Sequence, residues 1–433
     1  MNPFYKSRFR NTVKKIATKK WLLLFFIFAQ CSFAQQWGIT YLPHQRVVNS
    51  IKIFNANSVI VAGGNEENDS LRDIFKSNDG GLTWDFSENK IASWVKSMAF
   101  KNASTGYAVG YGGLFLKSTN GGSSFTPLSL PVTRELHKIV YADSSKLFIV
   151  GGRKKGTDTL QTIFKSVDGG DHWSVMIDRY GFWLRSVYFT DTMQGIAVGD
   201  SGTILKTIDG GVTWNTVASP STSDLYDVVF TNAATGYIVG GKRQYTNPIR
   251  TILKTTNGGA SWNIIMEEQG GQLADVSFLN DSVGYAVGDS ASFFKTTNRG
   301  VTWMRQTITT ASGFEQLKAV EFFNENLGYV SGRYALVYVY SNTPAPQAIA
   351  VGAAMTSETA ATLKALVNTY GFPATFTFNY SLHADFSTYI SDYESGVTSN
   401  SLIPIQMDVN GLLKDTTYYF FVSVRNLKGV FFK

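Results

Sequence analysis

The sequence predicts an all-β chain: a seven-bladed β-propeller closed by an N-terminal strand, followed by a C-terminal β-sandwich. Two observations carry this prediction. A polar turn box with a glycine pair and a following aromatic residue recurs six times along the chain. The Asp or Asn of the box stands at positions 79, 120, 168, 209, 257 and 298, so the period alternates between 41 and 48 residues. A period in the forties, with several short strands in each unit, is typical of propeller blades.

Residues 1–34 are predicted to be a signal peptide. The first 20 residues contain seven Lys or Arg and no acid, and the apolar run "WLLLFFIFA" follows. Ser32 and Ala34 are the small residues of a cleavage site. We therefore expect a secreted, extracellular or cell-envelope protein without a transmembrane segment after cleavage. The alternatives are a retained membrane anchor or a lipid anchor on Cys31.

Charge and cysteine content exclude several classes of function. The chain has 39 basic and 32 acidic residues, and removal of the seven basic leader residues leaves 32 of each. The excess of positive charge thus lies in the leader and predicts neither nucleic-acid binding nor an acidic membrane partner. Cys31 is the only cysteine, and the four histidines share no ligand spacing. We expect no disulfide, no metal and no cofactor.

Each repeat reads as four strands. A short strand ending in an aromatic residue, such as "SVYF", precedes a glycine-rich strand, such as "QGIAVG". A third strand leads into a box, such as "TIDGGVTW", and a fourth follows it. The Ser or Thr and the Asp or Asn of a box can bond nearby backbone amides, and glycines adopt the positive φ of a tight turn. The six boxes end at Trp84, Phe125, Trp173, Trp214, Trp262 and Trp303. We interpret Asp79, Asp168 and Asp209 as structural rather than catalytic.

The seventh repeat is incomplete. It begins at "LKAVEFF" and ends at "ALVYVYSN", with neither a box nor a fourth strand. The stretch "QQWGITYLP", residues 35–43, places Trp37 where the boxes place their aromatic residue. The first mature residues are therefore predicted to complete the last blade, which removes an exposed sheet edge. A six-bladed ring with an extra half-unit is the alternative.

The boxes resemble the Asp-box, or bacterial neuraminidase repeat. Together with the period and the glycine-rich second strand, they resemble the photosystem II stability and assembly factor family over residues 36–342. The resemblance implies a propeller at 35–342 that acts as a scaffold without catalysis. Photosystem binding is not carried over, because the leader indicates export.

The C-terminal region is predicted to be a separate domain. "NTPAPQ" contains a linker, 343–347, and residues 348–433 follow it with alternating strand patterns. The end of the chain resembles a fibronectin type III domain, whose pattern is matched by Leu412, Tyr418, Asn426 and Gly429. That resemblance makes Tyr418 the tyrosine corner, although Lys414 stands where the family often has proline. The chain ends at Lys433, so the last strand is either shortened or truncated.

One face of the propeller is the predicted binding face. The hairpin between second and third strands is longer in blades 1, 3 and 5, and it lies at the same end as the start of the innermost strand. Basic and aromatic residues gather there: Trp94, Lys96, His137, Arg153, Lys154, Lys155, Trp183, Arg185, Tyr226, Lys242, Arg243, Lys318 and Arg333. We hypothesise that a monomeric protein binds an acidic protein segment or an anionic glycan over blades 3–5. A solvated polar rim is the alternative, and Glu66, Glu67 and Asp69 make blade 1 acidic.

Two carboxylates offer a catalytic alternative. Asp227 and Asp275 occupy equivalent positions in adjacent innermost strands, and paired carboxylates are what glycoside hydrolysis requires. A sialidase-like or paired-carboxylate glycanase is therefore the second hypothesis, although no "RIP" tripeptide of sialidases is present. The structural alternative is that each Asp bonds the backbone of its own strand. A purely structural surface spacer is the third hypothesis.

Overall fold

The structure is a computed structural model. It describes residues 14–15, 36–42, 47–64, 72–87, 93–155, 158–242, 247–308, 315–341, 346–370, 374–397, 399, 401–426 and 429–432. These residues form β-strands and three 3-10 turns, and no α-helix occurs among them. No helix in the described ranges is both long and apolar enough to cross a membrane. Contacts divide the chain into two compact units, Ile39–Tyr340 and a unit made of Met1–Gly38 with Ser341–Lys433.

Seven four-stranded sheets, numbered here in chain order, make up the first unit, and the seventh also includes Gln36–Gly38 and Ser341. Sheet 1 contains Val47–Ile53, Val59–Gly64, Arg72–Ser77 and Asp85–Phe86. Sheet 2 contains Val95–Phe100, Gly106–Gly110, Phe115–Ser118 and Thr126–Pro127. Sheet 3 contains Glu135–Tyr141, Leu147–Lys155, Asp158–Ser166 and Ser174–Tyr180. Sheet 4 contains Leu184–Phe189, Gly195–Gly199, Ile204–Thr207 and Asn215–Thr216. Sheet 5 contains Asp224–Phe230, Gly236–Lys242, Ile249–Thr255 and Asn263–Gln269. Sheet 6 contains Leu273–Phe278, Gly284–Gly288, Ser292–Thr296 and Met304–Arg305. Sheet 7 contains Leu317–Asn324, Leu327–Gly332, Leu336–Ser341 and, as its outer strand, Gln36–Tyr41.

The sheets are arranged cyclically, as in a propeller. The first strand of each sheet contacts the first strand of the next, and Leu317–Asn324 of sheet 7 contacts Val47–Ile53 of sheet 1. The outer strand of sheet 7 also meets sheet 1, because Trp84 Nε1 donates a 3.1 Å hydrogen bond to Thr40 Oγ1. Trp37 is half-buried. The N-terminal strand therefore lies where the incomplete seventh repeat predicts it.

The glycine-rich second strands form the buried centre of each sheet, and every residue of Gly106–Gly110 and Gly195–Gly199 is buried. A Cβ atom on Gly199 would lie 1.9 Å from the Trp183 carbonyl oxygen. The chain therefore needs glycine here, because the first strand crosses the end of the second too closely for a side chain.

The box turns join the third and fourth strands of sheets 1 to 6. In sheet 4, Thr207 Oγ1 donates to Asp209 Oδ1 at 2.8 Å and accepts from Gly211 N at 2.9 Å. Thr213 N donates to Asp209 Oδ1 at 2.9 Å. The φ angles of Gly210 and Gly211 are +70° and +79°, a region that glycine adopts without steric cost. In all six turns the hydroxyl oxygen of the box Ser or Thr accepts a hydrogen bond from the backbone N–H four residues later in the sequence.

The aromatic residue after the box packs between sheets. Trp214 makes edge-to-face contacts with Phe148 of sheet 3 and Phe189 of its own sheet. It is buried, as is Trp262 one sheet later. The box therefore fixes the turn and also supplies part of the core between neighbouring sheets.

The hairpins between second and third strands differ in length. In sheet 3, Leu147–Lys155 and Asp158–Ser166 are nine residues each, whereas Gly195–Gly199 in sheet 4 has five. In sheets 2, 4 and 7 a short 3-10 turn joins the second and third strands, at Tyr111–Gly113, Asp200–Gly202 and Arg333–Ala335 respectively. The alternation of the repeat period is thus an alternation of hairpin length at one end of the sheets.

The second unit contains two further sheets. One has the order Gln347–Ser357, Ala360–Asn368, Ile403–Asn410; the other contains Ala374–Ser381, Ile390–Val397, Tyr419–Asn426, Gly429–Phe432 and Lys14–Lys15. Both contribute to one hydrophobic core, for example through Leu363 and Phe378. Leu413 N donates a 3.0 Å hydrogen bond to the hydroxyl of Tyr418. Apart from Lys14–Lys15, residues 1–34 lie outside the described residues, as does most of the 343–347 segment.

Candidate functional site

A β-bulge near the start of each first strand creates a ring of equivalent positions. The pairing register shifts by one residue at the same place in all seven first strands, for example between Leu184 and Ser186. A bulge leaves one residue outside the ladder and re-aims its side chain. The seven bulged residues, which we name the bulge ring, are Asn49, Lys96, His137, Arg185, Tyr226, Ala274 and Lys318. Five of these seven are residues that the sequence predicts for binding.

Four predicted residues from sheets 3 to 5 form one cluster. The Arg185 guanidinium lies 5.0 Å from the ring centre of Trp183 and 5.8 Å from that of Tyr226. Its Nη1 lies 3.3 Å from His137 Nδ1, and the rings of His137 and Trp183 meet edge to face at 5.5 Å. A stacked guanidinium among aromatic faces is held in one orientation while some of its N–H groups stay available.

The electrostatics of this cluster follow from burial and from a carboxylate. Burial, reinforced by the charges of Arg185 and Lys96, holds the pKa of His137 well below its usual value. His137 is therefore neutral at pH 7, and its Nδ1 can accept from Arg185. Burial tends to lower the pKa of Arg185, but the hydrogen-bonded carboxylate of Asp200 outweighs it and raises that pKa. Burial also raises the pKa of Tyr226 to about 12, so its hydroxyl stays protonated.

The face is less basic than the sequence predicts, because acidic partners accompany its basic residues. Asp200, in the 3-10 turn of sheet 4, binds Arg185 through both oxygens at 2.7 and 2.8 Å. Lys318 Nζ lies 3.6 Å from Asp289 Oδ1. These carboxylates offset the positive charge that the sequence predicts at Arg185 and Lys318.

Aromatic residues contribute more to this face than the sequence indicates. Lys96 Nζ lies 4.0 Å above the ring of Trp94, which in turn contacts Tyr111 at 5.2 Å. Tyr180 and Phe182, just before the first strand of sheet 4, are 75% and 51% exposed. The run "YGFW" at 180–183 could have indicated this surface from the sequence, because three of its four residues are aromatic. All three are exposed or half-buried.

The remaining predicted residues are more scattered. Arg153 is exposed at the end of the long second strand of sheet 3, and the side chain of Lys155 lies outside the described residues, as does that of Lys154. Lys242 Nζ donates to Thr222 Oγ1 at 2.8 Å. Arg243 lies outside the described residues, and Arg333 begins the 3-10 turn of sheet 7.

Asp227 and Asp275 follow the bulge and bind the neighbouring sheet. Val276 N donates to Asp227 Oδ2 at 3.4 Å, and Val320 N donates to Asp275 Oδ2 at 2.7 Å. The expectation that each Asp bonds the backbone of its own strand is therefore wrong, because the acceptor side chain reaches the next first strand. Serines at equivalent positions do the same, since Met98 N donates to Ser50 Oγ at 3.2 Å.

The two carboxylates nevertheless differ in their surroundings. Asp227 is 4% exposed and accepts from Lys138 Nζ at 2.9 Å and from Ser186 Oγ at 2.7 Å. Burial and the Asp227 carboxylate raise the pKa of Asp275. Burial opposes a charged Lys138, but the carboxylates of Asp227, Asp275 and Glu321 raise its pKa. Among the described residues no group of three or more His, Cys, Asp or Glu is placed to hold a metal ion.

Comparison with known proteins gives one family match, which covers part of the chain. Residues 261–343 match the family model of the photosynthesis system II assembly factor YCF48. No curated protein matches the sequence.

Solved structures resemble most of the chain. YCF48 bound to a D1 peptide is 14% identical, with a TM-score of 0.55, over 71% of this chain and 97% of that one. YCF48 from Cyanidioschyzon merolae is 17% identical, with a TM-score of 0.54, over 71% and 99%. The WD40 β-propeller domain of Doa1 is 9% identical, with a TM-score of 0.54, over 72% and 98%. At such identities the similarity establishes a β-propeller fold.

Proposed function

We propose that this chain is an exported, non-catalytic scaffold whose seven-bladed propeller binds an acidic protein segment across the bulge ring. Its six box turns are Asp-boxes, and its C-terminal unit is a fibronectin type III-like sandwich with Tyr418 as the tyrosine corner. Residues 1–34 act as a cleaved signal peptide, which places the protein outside the cytoplasm, in the envelope or beyond it.

The observation that carries the proposal is the cluster of His137, Trp183, Arg185 and Tyr226. The bulges of sheets 3, 4 and 5 place His137, Arg185 and Tyr226 at equivalent positions, and the ring of Trp183 lies against Arg185. Aromatic and arginine side chains are the types that dominate binding hot spots. Phe182 and Tyr180 extend the surface with exposed rings.

The chemistry of the surface favours a protein segment. Aromatic rings offer apolar contact, the remaining Arg185 N–H groups offer donors, and exposed Arg153 adds positive charge. YCF48, which has a similar fold, has been seen with a D1 peptide.

The alternative of a glycoside hydrolase has less support. In such enzymes one carboxylate must face the substrate or a water molecule. Asp227 has both oxygens engaged by Lys138, Ser186 and the backbone of Val276. Asp275 accepts from the backbone of Val320, which makes it one of the links between adjacent sheets.

Selection from a displayed peptide library tests the proposal. The mature chain is immobilised, and the affinity of each selected peptide is then measured for wild type and for Arg153→Glu and Phe182→Ala. Both side chains are exposed, so these variants are expected to keep the wild-type unfolding midpoint. We expect acidic peptides with aromatic residues, affinity that falls with salt, and at least ten-fold weaker binding by Arg153→Glu.

Lys101→Glu is the matched control. Lys101 is equally exposed but lies in the turn after the first strand of sheet 2, at the opposite end of the sheets. It reverses the same charge and should leave binding unchanged. Peptides that bind wild type, both variants and the control equally would contradict the proposal.

A further inference from the structure

The second unit carries an aromatic cluster outside its core. It lies where the Ala374–Ser381 strand turns into Ile390–Val397, next to the Tyr419–Asn426 strand. The rings of Phe386 and Phe421 meet edge to face at 4.7 Å, and Tyr389 lies 6.1 Å from Phe421. We name Phe386, Tyr389 and Phe421 the aromatic platform.

Tyr389 presents the platform to solvent, whereas Phe386 and Phe421 are half-buried. Tyr389 is 56% exposed. Phe386 has a φ of +51°, which is uncommon for a bulky residue and persists only where the surrounding structure fixes it. Phe386 N donates to His383 O at 3.1 Å, and Ser387 N donates to Asp385 Oδ1 at 3.0 Å. The turn thus holds a phenyl ring against Phe421 rather than in the core.

Polar groups continue the same face of the sheet. Phe421 pairs with Asn379, and Asn379 pairs with Ser391, so the three side chains share one face. Ser391 Oγ donates to Asn379 Oδ1 at 2.7 Å. Asn379 is 4% exposed and orients the exposed Ser391, whose hydroxyl oxygen is the neutral hydrogen-bonding group next to the platform.

The segment that carries Phe386 and Tyr389 has a negative charge beside these rings. Within residues 381–391 the ionisable side chains are those of His383, Asp385 and Tyr389. Hydrogen bonds from Ser387 lower the pKa of Asp385, so this exposed carboxylate is ionised at neutral pH. An ionised carboxylate accepts hydrogen bonds from hydroxyl groups but repels an anionic polymer.

We propose that the aromatic platform binds a neutral polysaccharide. The apolar C–H face of a hexose ring stacks on an exposed aromatic ring, and its hydroxyl groups bond to neighbouring polar side chains and to Asp385. Exposed apolar surface bordered by polar groups is typical of an interaction site. This site is independent of the bulge ring and does not depend on the peptide-binding proposal.

Affinity electrophoresis of the mature chain tests this site. Native gels contain laminarin, xylan or galactomannan as neutral polysaccharides, or alginate as an anionic one. We expect retardation by at least one neutral polymer and none by alginate. Tyr389→Ala should weaken binding at least ten-fold, and Tyr389→Phe should retain most of it because the ring remains.

Ile390→Ala is the matched control, since Ile390 is 59% exposed and adjacent in sequence but has no aromatic ring. It should bind as wild type does. The proposal would be overturned by the absence of retardation in all three neutral polymers, or by equal retardation of Tyr389→Ala and wild type. Retention on a proline-rich peptide resin without polysaccharide binding would also overturn it.

Discussion

The hydroxyl of Tyr329 donates a 3.0 Å hydrogen bond to the carbonyl oxygen of Gly80, 249 residues away in the chain. Tyr329 lies in the second strand of sheet 7 and Gly80 in the box turn of sheet 1. The same bond joins sheets 2 and 3, where the hydroxyl of Tyr107 donates to Gly169 O at 2.7 Å. In both pairs a tyrosine of the second strand connects its sheet to the box turn of the next sheet. The Tyr329 bond joins sheet 7 to sheet 1 and so closes the ring.

Tyr329→Phe should destabilise the ring. The change leaves the packing of the ring intact and removes one buried hydrogen bond, which typically contributes about 1 kcal/mol. We expect a lower urea midpoint with an unchanged slope, measured by tryptophan fluorescence. An unchanged midpoint would contradict a role for this bond in closure.

Tyr285→Phe is the control for that experiment. Sheet 7 has no box turn, and the buried hydroxyl of Tyr285 has no hydrogen-bond partner among the described residues. Removing a buried polar group without a partner should be neutral or stabilising. Equal losses in Tyr285→Phe and Tyr329→Phe would mean that the hydroxyls act through something other than the next box.

Deletion of residues 35–42 should lower the melting temperature of the mature chain. It removes the outer strand of sheet 7 and leaves the Leu336–Ser341 strand as an open edge. It also removes Thr40, the acceptor for Trp84 Nε1. Thr40→Val is the milder comparison and should cost about 1 kcal/mol. The same melting temperature with and without the segment would refute closure by the N-terminal strand.

Much of this arrangement could be predicted from the sequence, because the repeat makes each position recur. The boxes gave the sheet order, and Trp37 indicated where the outer strand of sheet 7 comes from. The alternating period located the long hairpins of sheets 3 and 5. Each box is readable from a short stretch of chain, and its absence from the seventh repeat points to the distant strand that completes sheet 7.

The partners of the side chains could not be predicted in the same way. Asp200 follows a second strand while Arg185 begins a first strand, and only the register of sheet 4 brings them together. Likewise, the hydrogen bond from Val320 N to Asp275 crosses between sheets. Charge compensation on the binding face therefore became evident only when neighbouring strands were placed.

Asp275→Asn should stabilise the protein at neutral pH. The folded-state pKa of Asp275 is raised above the unfolded value of about 3.9, so wild type loses stability as pH rises from that value through the folded-state pKa. Asparagine keeps an oxygen for Val320 N and carries no charge. Urea unfolding at pH 4 and pH 7.5 should give similar stabilities at the lower pH and a more stable variant at the higher.

Asp227→Asn should behave in the opposite way. It removes the carboxylate that pairs with Lys138 Nζ and so leaves a cation without its closest counter-ion. We expect a loss of stability at pH 7.5, where Asp275→Asn gains. A stabilising effect of both substitutions would contradict a stabilising ion pair between Asp227 and Lys138.

Asp209→Asn should alter acid unfolding without disrupting the box. Hydrogen bonds from Thr213 and Thr207 lower the pKa of Asp209 to about 2. Its contribution is therefore complete above pH 3.9 and is lost as pH falls towards 2. Asn257 makes the same backbone contact in sheet 5, so asparagine fits the turn. The difference between wild type and variant should shrink on acidification, and a difference independent of pH would contradict this account.

Site-specific photocrosslinking tests the binding face most directly. A photoreactive phenylalanine analogue replaces Phe182 beside the bulge ring or, as control, Val212 in the box turn of sheet 4; these side chains are 51% and 62% exposed. Each mature chain is irradiated in an envelope extract of the cell that makes it. The account predicts a discrete crosslinked protein band from position 182 that is lost with Arg153→Glu, and none from position 212. The same bands from both positions, or a band at 182 that survives Arg153→Glu, would contradict it.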